Sequence, residues 1–106
     1  MPMTLYDLER RVAERAVSKP PGSYTARLLS EGVEKCAKKV GEEAVEFALA
    51  AQYNERNAIL GEAADLFYHI LVTLHLKGVT LADVEEVLAL RDAQRSGNPK
   101  SDNRGT

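Results

Sequence analysis

Leu5, Leu8, Val12 and Ala16 recur three or four positions apart, the spacing of a single helix face. Thr4-Leu5-Tyr6-Asp7 precedes them as a capping box with an acid at N3, which predicts a helix from about Leu5 to Ser18. Pro20-Pro21-Gly22 ends that helix in a stiff loop. Ser23 then caps a short turn, SYTARLLS, that carries Leu28 and Leu29. Gly32 marks either a break or a tight approach between helices. Val33, Cys36, Val40, Ala44, Phe47, Ala48 and Ala51 fall on one stripe, predicting a second long helix from about Val33 to Gln52. A short connection at Tyr53-Asn54 leads into a third, ending near Lys77, with Gly78 as its C′ residue. Thr80-Leu81-Ala82-Asp83 opens the last helix in the manner of the first, and Leu81, Val84, Val87 and Leu88 continue its pattern.

No segment of strand period and no internal repeat interrupts this series. The fold class expected is all-α, a helical bundle around a central antiparallel hairpin, Val33 to Lys77. One all-α domain over 1–95 is followed by a polar tail over 96–106, SGNPKSDNRGT. On the long third helix Ile59, Ala63, Leu66, Phe67, Ile70, Leu71 and Leu74 form an apolar arc wider than one neighbouring helix needs. A homodimer would bury the surplus.

Composition narrows the function classes. A chain of 106 residues with 44% hydrophobic and 28% charged residues is globular in balance. Its net charge of -2 gives no electrostatic footprint for nucleic acid. The nearly apolar run Ile70–Leu76 is short for a membrane span, and the charged N-terminus lacks the pattern of a secretory signal. With one cysteine, Cys36, on the core stripe, the expected setting is reducing and cytoplasmic.

The chemistry lies in the acids. Glu42, Glu43 and Glu46 occupy one flank of the second long helix, with Lys39 one turn before. Glu62 and Asp65 lie one turn apart on the next, and His69 one turn further. In an antiparallel hairpin turning near Tyr53, the two acid pairs stand at nearly the same height, roughly 10–14 Å from the turn. Any one of these acids alone reads as a solvated helix face. As a set, beside the apolar arc, each close pair costs on the order of a kilocalorie or more. Lys39 offsets one charge, and a hard divalent cation offsets the rest. Oxygen-only ligands suit Mg²⁺, with Mn²⁺ as a substitute, and not zinc. Such an ion receives phosphate oxygens and stabilises a departing pyrophosphate, which points to a diphosphate-bond hydrolase. No P-loop, GxGxxG or GxSxG motif is present. Oxygen ligands leave His69 as a histidine packed behind the acids, and His75 as a contact at the helix end. Tyr24 and Tyr68 either stack on a base or pack.

The strings SYTARLLSEGVEKCAKKVGEEAVEFALAA and EAADLFYHILVTL resemble the phosphoribosyl-ATP pyrophosphatase family, which acts at the second step of histidine biosynthesis. The resemblance runs from about Leu5 to Arg104. The ExxE…ExxD signature alone is shared with the wider all-α, MazG-like nucleoside-triphosphate pyrophosphatases; SYT, KVGEEAVE and EAADLFYH are more specific. The resemblance implies Mg²⁺-dependent hydrolysis of 1-(5-phosphoribosyl)-ATP to the AMP analogue and pyrophosphate by a helical homodimer. It implies metal ligands at Glu43, Glu46, Glu62 and Asp65, with Glu42 as a further ligand or water-orienting group. It implies that Lys39 contacts phosphate or holds the acids, and that Ser23, Tyr24 and Thr25 line the substrate. Lys100 and Arg104, after Ser96-Gly97, match basic positions of the family's ending, where they would meet the phosphoribosyl end. Asn98-Pro99 departs from that ending. Two alternatives stand beside this reading: a house-cleaning hydrolase of non-standard nucleoside triphosphates, and a non-catalytic helical dimerisation module.

Overall fold

A computed structural model describes residues 2–53 and 55–97, with the backbone alone at Ser96 and Gly97. Five helices follow one another: α1 (Leu5–Ser18), α2 (Tyr24–Glu31), α3 (Val33–Tyr53), α4 (Arg56–Leu76) and α5 (Leu81–Gly97). No strand occurs among the described residues. The all-α class with its central hairpin is therefore correct, and α3 packs on α4 along its length.

Local chemistry sets the boundaries. Thr4 Oγ1 accepts from the Asp7 N–H at 3.0 Å while the Asp7 carboxylate accepts from the Thr4 N–H at 3.0 Å. Thr80 and Asp83 repeat the arrangement at α5, at 2.9 and 3.0 Å. Both carboxyls are held below their usual range, chiefly by the backbone N–H they accept from. Glu55 caps α4, its carboxylate accepting from the Ala58 N–H at 2.8 Å. The expected short turn after the prolines is a full helix, because Ser23 Oγ accepts from the Ala26 N–H at 3.1 Å and starts it cleanly. Gly32 separates α2 from α3 with φ 96°, and a Cβ there would meet nothing within 4 Å. It is a break, required by backbone conformation, and not a tight approach.

The core draws one fully buried side chain from each of four helices: Val12 from α1, Leu28 from α2, Cys36 from α3 and Val72 from α4. Leu29, Tyr68 and Leu76 pack around them. The Cys36 thiol donates to the Leu28 carbonyl at 3.3 Å, and burial pushes that thiol up from its ordinary pKa. The cysteine is core, as its place on the stripe predicts.

α4 is long and apolar enough, by length and composition, to cross a membrane. The shorter run read from the sequence understated this. It lies against α3 and α1, and it carries Glu62, Asp65 and His69.

Much apolar surface stays uncovered within one chain. Val45 and Leu49 on α3, and Leu60 and Phe67 on α4, are each about half exposed. The stripe expected on α3 is buried only at Cys36; Ala44, Ala48 and Ala51 face outward. α5 rests on α1, where Tyr6 donates its hydroxyl hydrogen to Glu85 and Glu9 accepts from the Leu81 N–H at 2.7 Å. Beyond that contact Val87, Leu88 and Leu90 are exposed. The molecule measures 52 × 33 × 33 Å, with a radius of gyration of 16.1 Å. A self-contained domain of about 100 residues has roughly 13 Å.

Candidate active site

The hairpin converges three acids. One carboxylate oxygen each from Glu43 on α3 and from Glu62 and Asp65 on α4 lie within 4.8 Å of one another. Glu43 and Glu62 are partly buried and Asp65 is exposed, so the group opens to solvent on one side. Glu62 is pushed up from the ordinary carboxyl range, first by burial, then by the charges of Glu46, Asp65 and Glu43. Glu46 is thus close enough to repel Glu62 but lies outside the tight triad, exposed on the flank.

Helix arithmetic explains the difference. At 100° per residue Glu42, Glu46 and Glu43 fall at about 0°, 40° and 100° around α3. A flank that wide cannot meet one point, and only its Glu43 edge faces α4. Glu42 is exposed, and Lys39 bridges it and Glu43, with Nζ 3.6 and 3.7 Å from their carboxylates. At this partly exposed position each pair contributes under about 1 kcal/mol. Lys39 therefore positions charge at the rim of the triad.

Of the loop residues, Tyr24 reaches the acids indirectly. His69 is buried, its Nδ1 2.7 Å from the Asp65 carbonyl and its Nε2 3.2 Å from the Tyr24 hydroxyl. A carbonyl only accepts, so Nδ1 carries the hydrogen and Nε2 accepts from Tyr24. His69 is packed behind the acids, as expected, and ties α2 to the turn of α4 that holds Asp65. The Tyr24 and Tyr68 rings lie 6.1 Å apart at 28°, so they pack on each other. Thr25 is buried, its hydroxyl bonded to that of Tyr68. Ser23 spends its hydroxyl on the α2 cap. Neither hydroxyl points freely toward a ligand. Lys100 and Arg104 lie outside the described residues, as does the tail beyond Gly97; the last helix itself continues through Ser96 and Gly97.

The Tyr24–His69 link was not readable from sequence. The i,i+4 spacing of Asp65 and His69 signals half of it, but its partner comes from another helix. Among the described residues, every buried side-chain polar atom has a hydrogen-bond partner. The triad is the place where unfavourable charge accumulates.

That charge has a pH signature. Glu62 holds its proton more tightly folded than unfolded, so its contribution to stability is complete below its ordinary unfolded value and is lost as pH rises through the raised one. Asp7 and Asp83 act in the opposite sense, stabilising above their unfolded value and losing that effect in acid. The Glu62 part is isolated by difference. The melting temperature of metal-free Glu62→Gln should exceed that of wild type by a margin that widens from about pH 4 to about pH 7. A margin that stays constant with pH contradicts the assignment.

A hard cation fits this donor set: oxygen ligands from two helices, two of them partly buried, one face open. Residues 5–92 match the phosphoribosyl-ATP pyrophosphohydrolase (PRA-PH) family. A phosphoribosyl-ATP pyrophosphatase of Azorhizobium caulinodans is 51% identical over 99 residues, covering 93% of this chain and 91% of its own. One from Rhizobium meliloti is 48% identical over 101 residues, covering 95% and 94%. Phosphoribosyl-ATP pyrophosphatase 1 of Rhodopseudomonas palustris is 50% identical over 88 residues, covering 83% and 82%. The acid triad, the α3–α4 hairpin that builds it and nearly all of the five helices lie inside the matched region, and this chain belongs to the phosphoribosyl-ATP pyrophosphohydrolase family.

Proposed function

We propose that this chain hydrolyses 1-(5-phosphoribosyl)-ATP to 1-(5-phosphoribosyl)-AMP and pyrophosphate, in the cytoplasm, as the second step of histidine biosynthesis. The observation that carries the reading is the convergence of Glu43, Glu62 and Asp65 within 4.8 Å, in a chain of this family. These three, with Glu46 beside them, would hold Mg²⁺, or Mn²⁺ in its place. When bound, the ion supplies neutralising charge for the departing pyrophosphate and acidifies the attacking water. Lys39 at the rim meets phosphate oxygens and restrains Glu43. Glu42, exposed beside it, orients the water. The water oxygen bonds to phosphorus, its proton passes to a rim carboxylate, and the anhydride bond breaks with its electron pair leaving on pyrophosphate. His69 and Tyr24 hold the Asp65 turn in place and take no part in the proton transfer.

Pyrophosphate release from phosphoribosyl-ATP, with and without chelator, tests the reading against a panel of ordinary and modified triphosphates. Release that is chelator-sensitive and strongest on phosphoribosyl-ATP is expected. Equal turnover across the panel indicates a house-cleaning triphosphatase instead. No turnover and no Mg²⁺ effect indicate a dimerisation module.

The half-exposed Val45, Leu49, Leu60 and Phe67, and the large radius for this length, support a homodimer. Sedimentation equilibrium should give about twice the 11.6 kDa chain mass. A monomer at micromolar concentration counts against it.

A further inference from the structure

A cavity of about 530 Å³ lies where the end of α1, the proline loop, α2 and the end of α4 meet. Arg15, Lys19, Arg27 and His75 line it, over apolar side chains including Leu29 and Leu76, and no carboxylate does. In a chain whose acids outnumber its lysines and arginines 16 to 14, that segregation needs a reason. Arg15 and His75 sit in the last turns of α1 and α4, where cations offset the helix dipole. Dipoles do not explain the other two. Lys19 holds a left-handed conformation, φ 47°, at a position that glycine or asparagine fills more easily. Arg27 has its guanidinium carbon 5.2 Å from the Tyr24 ring centroid, which fixes its direction. Neither forms an ion pair among the described residues.

The cavity is connected to the acids. Arg27 lies on Tyr24, Tyr24 donates to His69, and His69 donates to the Asp65 carbonyl. Along α4, His75 stands ten residues beyond Asp65, about 15 Å. The molecule thus presents a carboxylate site and a carboxylate-free cationic site joined by packed side chains. Resting on the proposed function, the substrate has matching chemistry. Its triphosphate and its second, phosphoribosyl phosphate lie at opposite ends, separated by two riboses and a purine. The triphosphate end needs a cation between it and the acids. The phosphate monoester end needs protein cations and no carboxylate. We infer that the Arg15–Lys19–Arg27–His75 cavity binds the phosphoribosyl phosphate of the substrate and is what separates it from ordinary nucleoside triphosphates, which lack that group.

The test is steady-state kinetics on the full chain with Mg²⁺, comparing wild type with Lys19→Gln and Arg27→Gln, and with the charge-conserving Lys19→Arg and Arg27→Lys. Each neutral variant should raise KM for phosphoribosyl-ATP about ten- to hundredfold, as for loss of one charge-assisted hydrogen bond, with a smaller change in kcat. The conservative variants should recover most of it, which simple misfolding would not allow. Ribose 5-phosphate should inhibit competitively against phosphoribosyl-ATP. Noncompetitive inhibition would place a free phosphate ester there instead and overturn the assignment. Wild-type KM in both neutral variants, with wild type active on phosphoribosyl-ATP, overturns this inference alone. A wild type active only on ordinary triphosphates overturns the proposed function and this inference with it.

Discussion

Glu62→Gln should lower pyrophosphate release by more than about 100-fold while raising the melting temperature of the metal-free protein. The two effects have one cause. Glu62 is the acid that the others press upon most: burial, Glu46, Asp65 and Glu43 all disfavour its charge. Without a cation this repulsion strains the hairpin, and the isosteric amide relieves it. With a cation the same charge is a ligand. Even groups that only support a metal ligand cost 10–100-fold on removal, so a ligand itself should cost more. Glu42→Gln gives the contrast in stability. Glu42 is exposed, outside the triad and 3.6 Å from Lys39, so its loss should leave the metal-free melting temperature nearly unchanged or slightly lower. Thermal melts of both variants, beside a pyrophosphate assay of Glu62→Gln, read all three outcomes. If Glu62→Gln melts no higher than wild type without metal, the acids are a solvated face.

Leu28→Ala should destabilise the chain by about 3 kcal/mol and lower its melting temperature by roughly 12–24 °C. Leu28 is 2% exposed and touches the one cluster that joins α1, α2, α3 and α4. Truncation leaves a cavity that no neighbour can fill without moving a whole helix. The loss is a large share of the 5–15 kcal/mol that holds a typical domain together. The half-exposed Leu60 and Phe67 lie outside this cluster, so their truncation should matter mainly through assembly. Urea melts at two protein concentrations separate the two: a Leu28→Ala loss no larger than a Leu60→Ala loss would show that the small cluster is not the core.

Most of the helix boundaries were legible because they are local. Thr4 and Thr80 with their acids three residues on, the proline loop and Gly78 state where backbone hydrogen bonding begins and ends. The sequence of α2 reads as a turn because eight residues carry little periodic signal, although Ser23 marks its cap. The α3 residues from Val33 to Ala51 that recur at helical spacing form one stripe. In one chain it is buried at Cys36, partly covered at Val40 and Phe47 and exposed at Ala44, Ala48 and Ala51, since burial depends on what lies opposite and not on the stripe itself.

The site divides the same way. Sequence by itself determined that carboxylates of α3 and α4 meet, since a hairpin's register follows from 1.5 Å per residue and the place of its turn. It also determined that Lys39 stands beside Glu42 and Glu43, one turn away. Tertiary structure alone decided that Glu43 and not Glu46 completes the triad, because the rotation of α3 about its own axis is set by packing against α4. It alone decided that Tyr24 reaches His69, and that Arg15, Lys19, Arg27 and His75 surround one cavity. Those groups come from three helices and a loop. Periodicity fixes which side chains share a face of one helix, and only the docking of whole helices fixes which faces share a space.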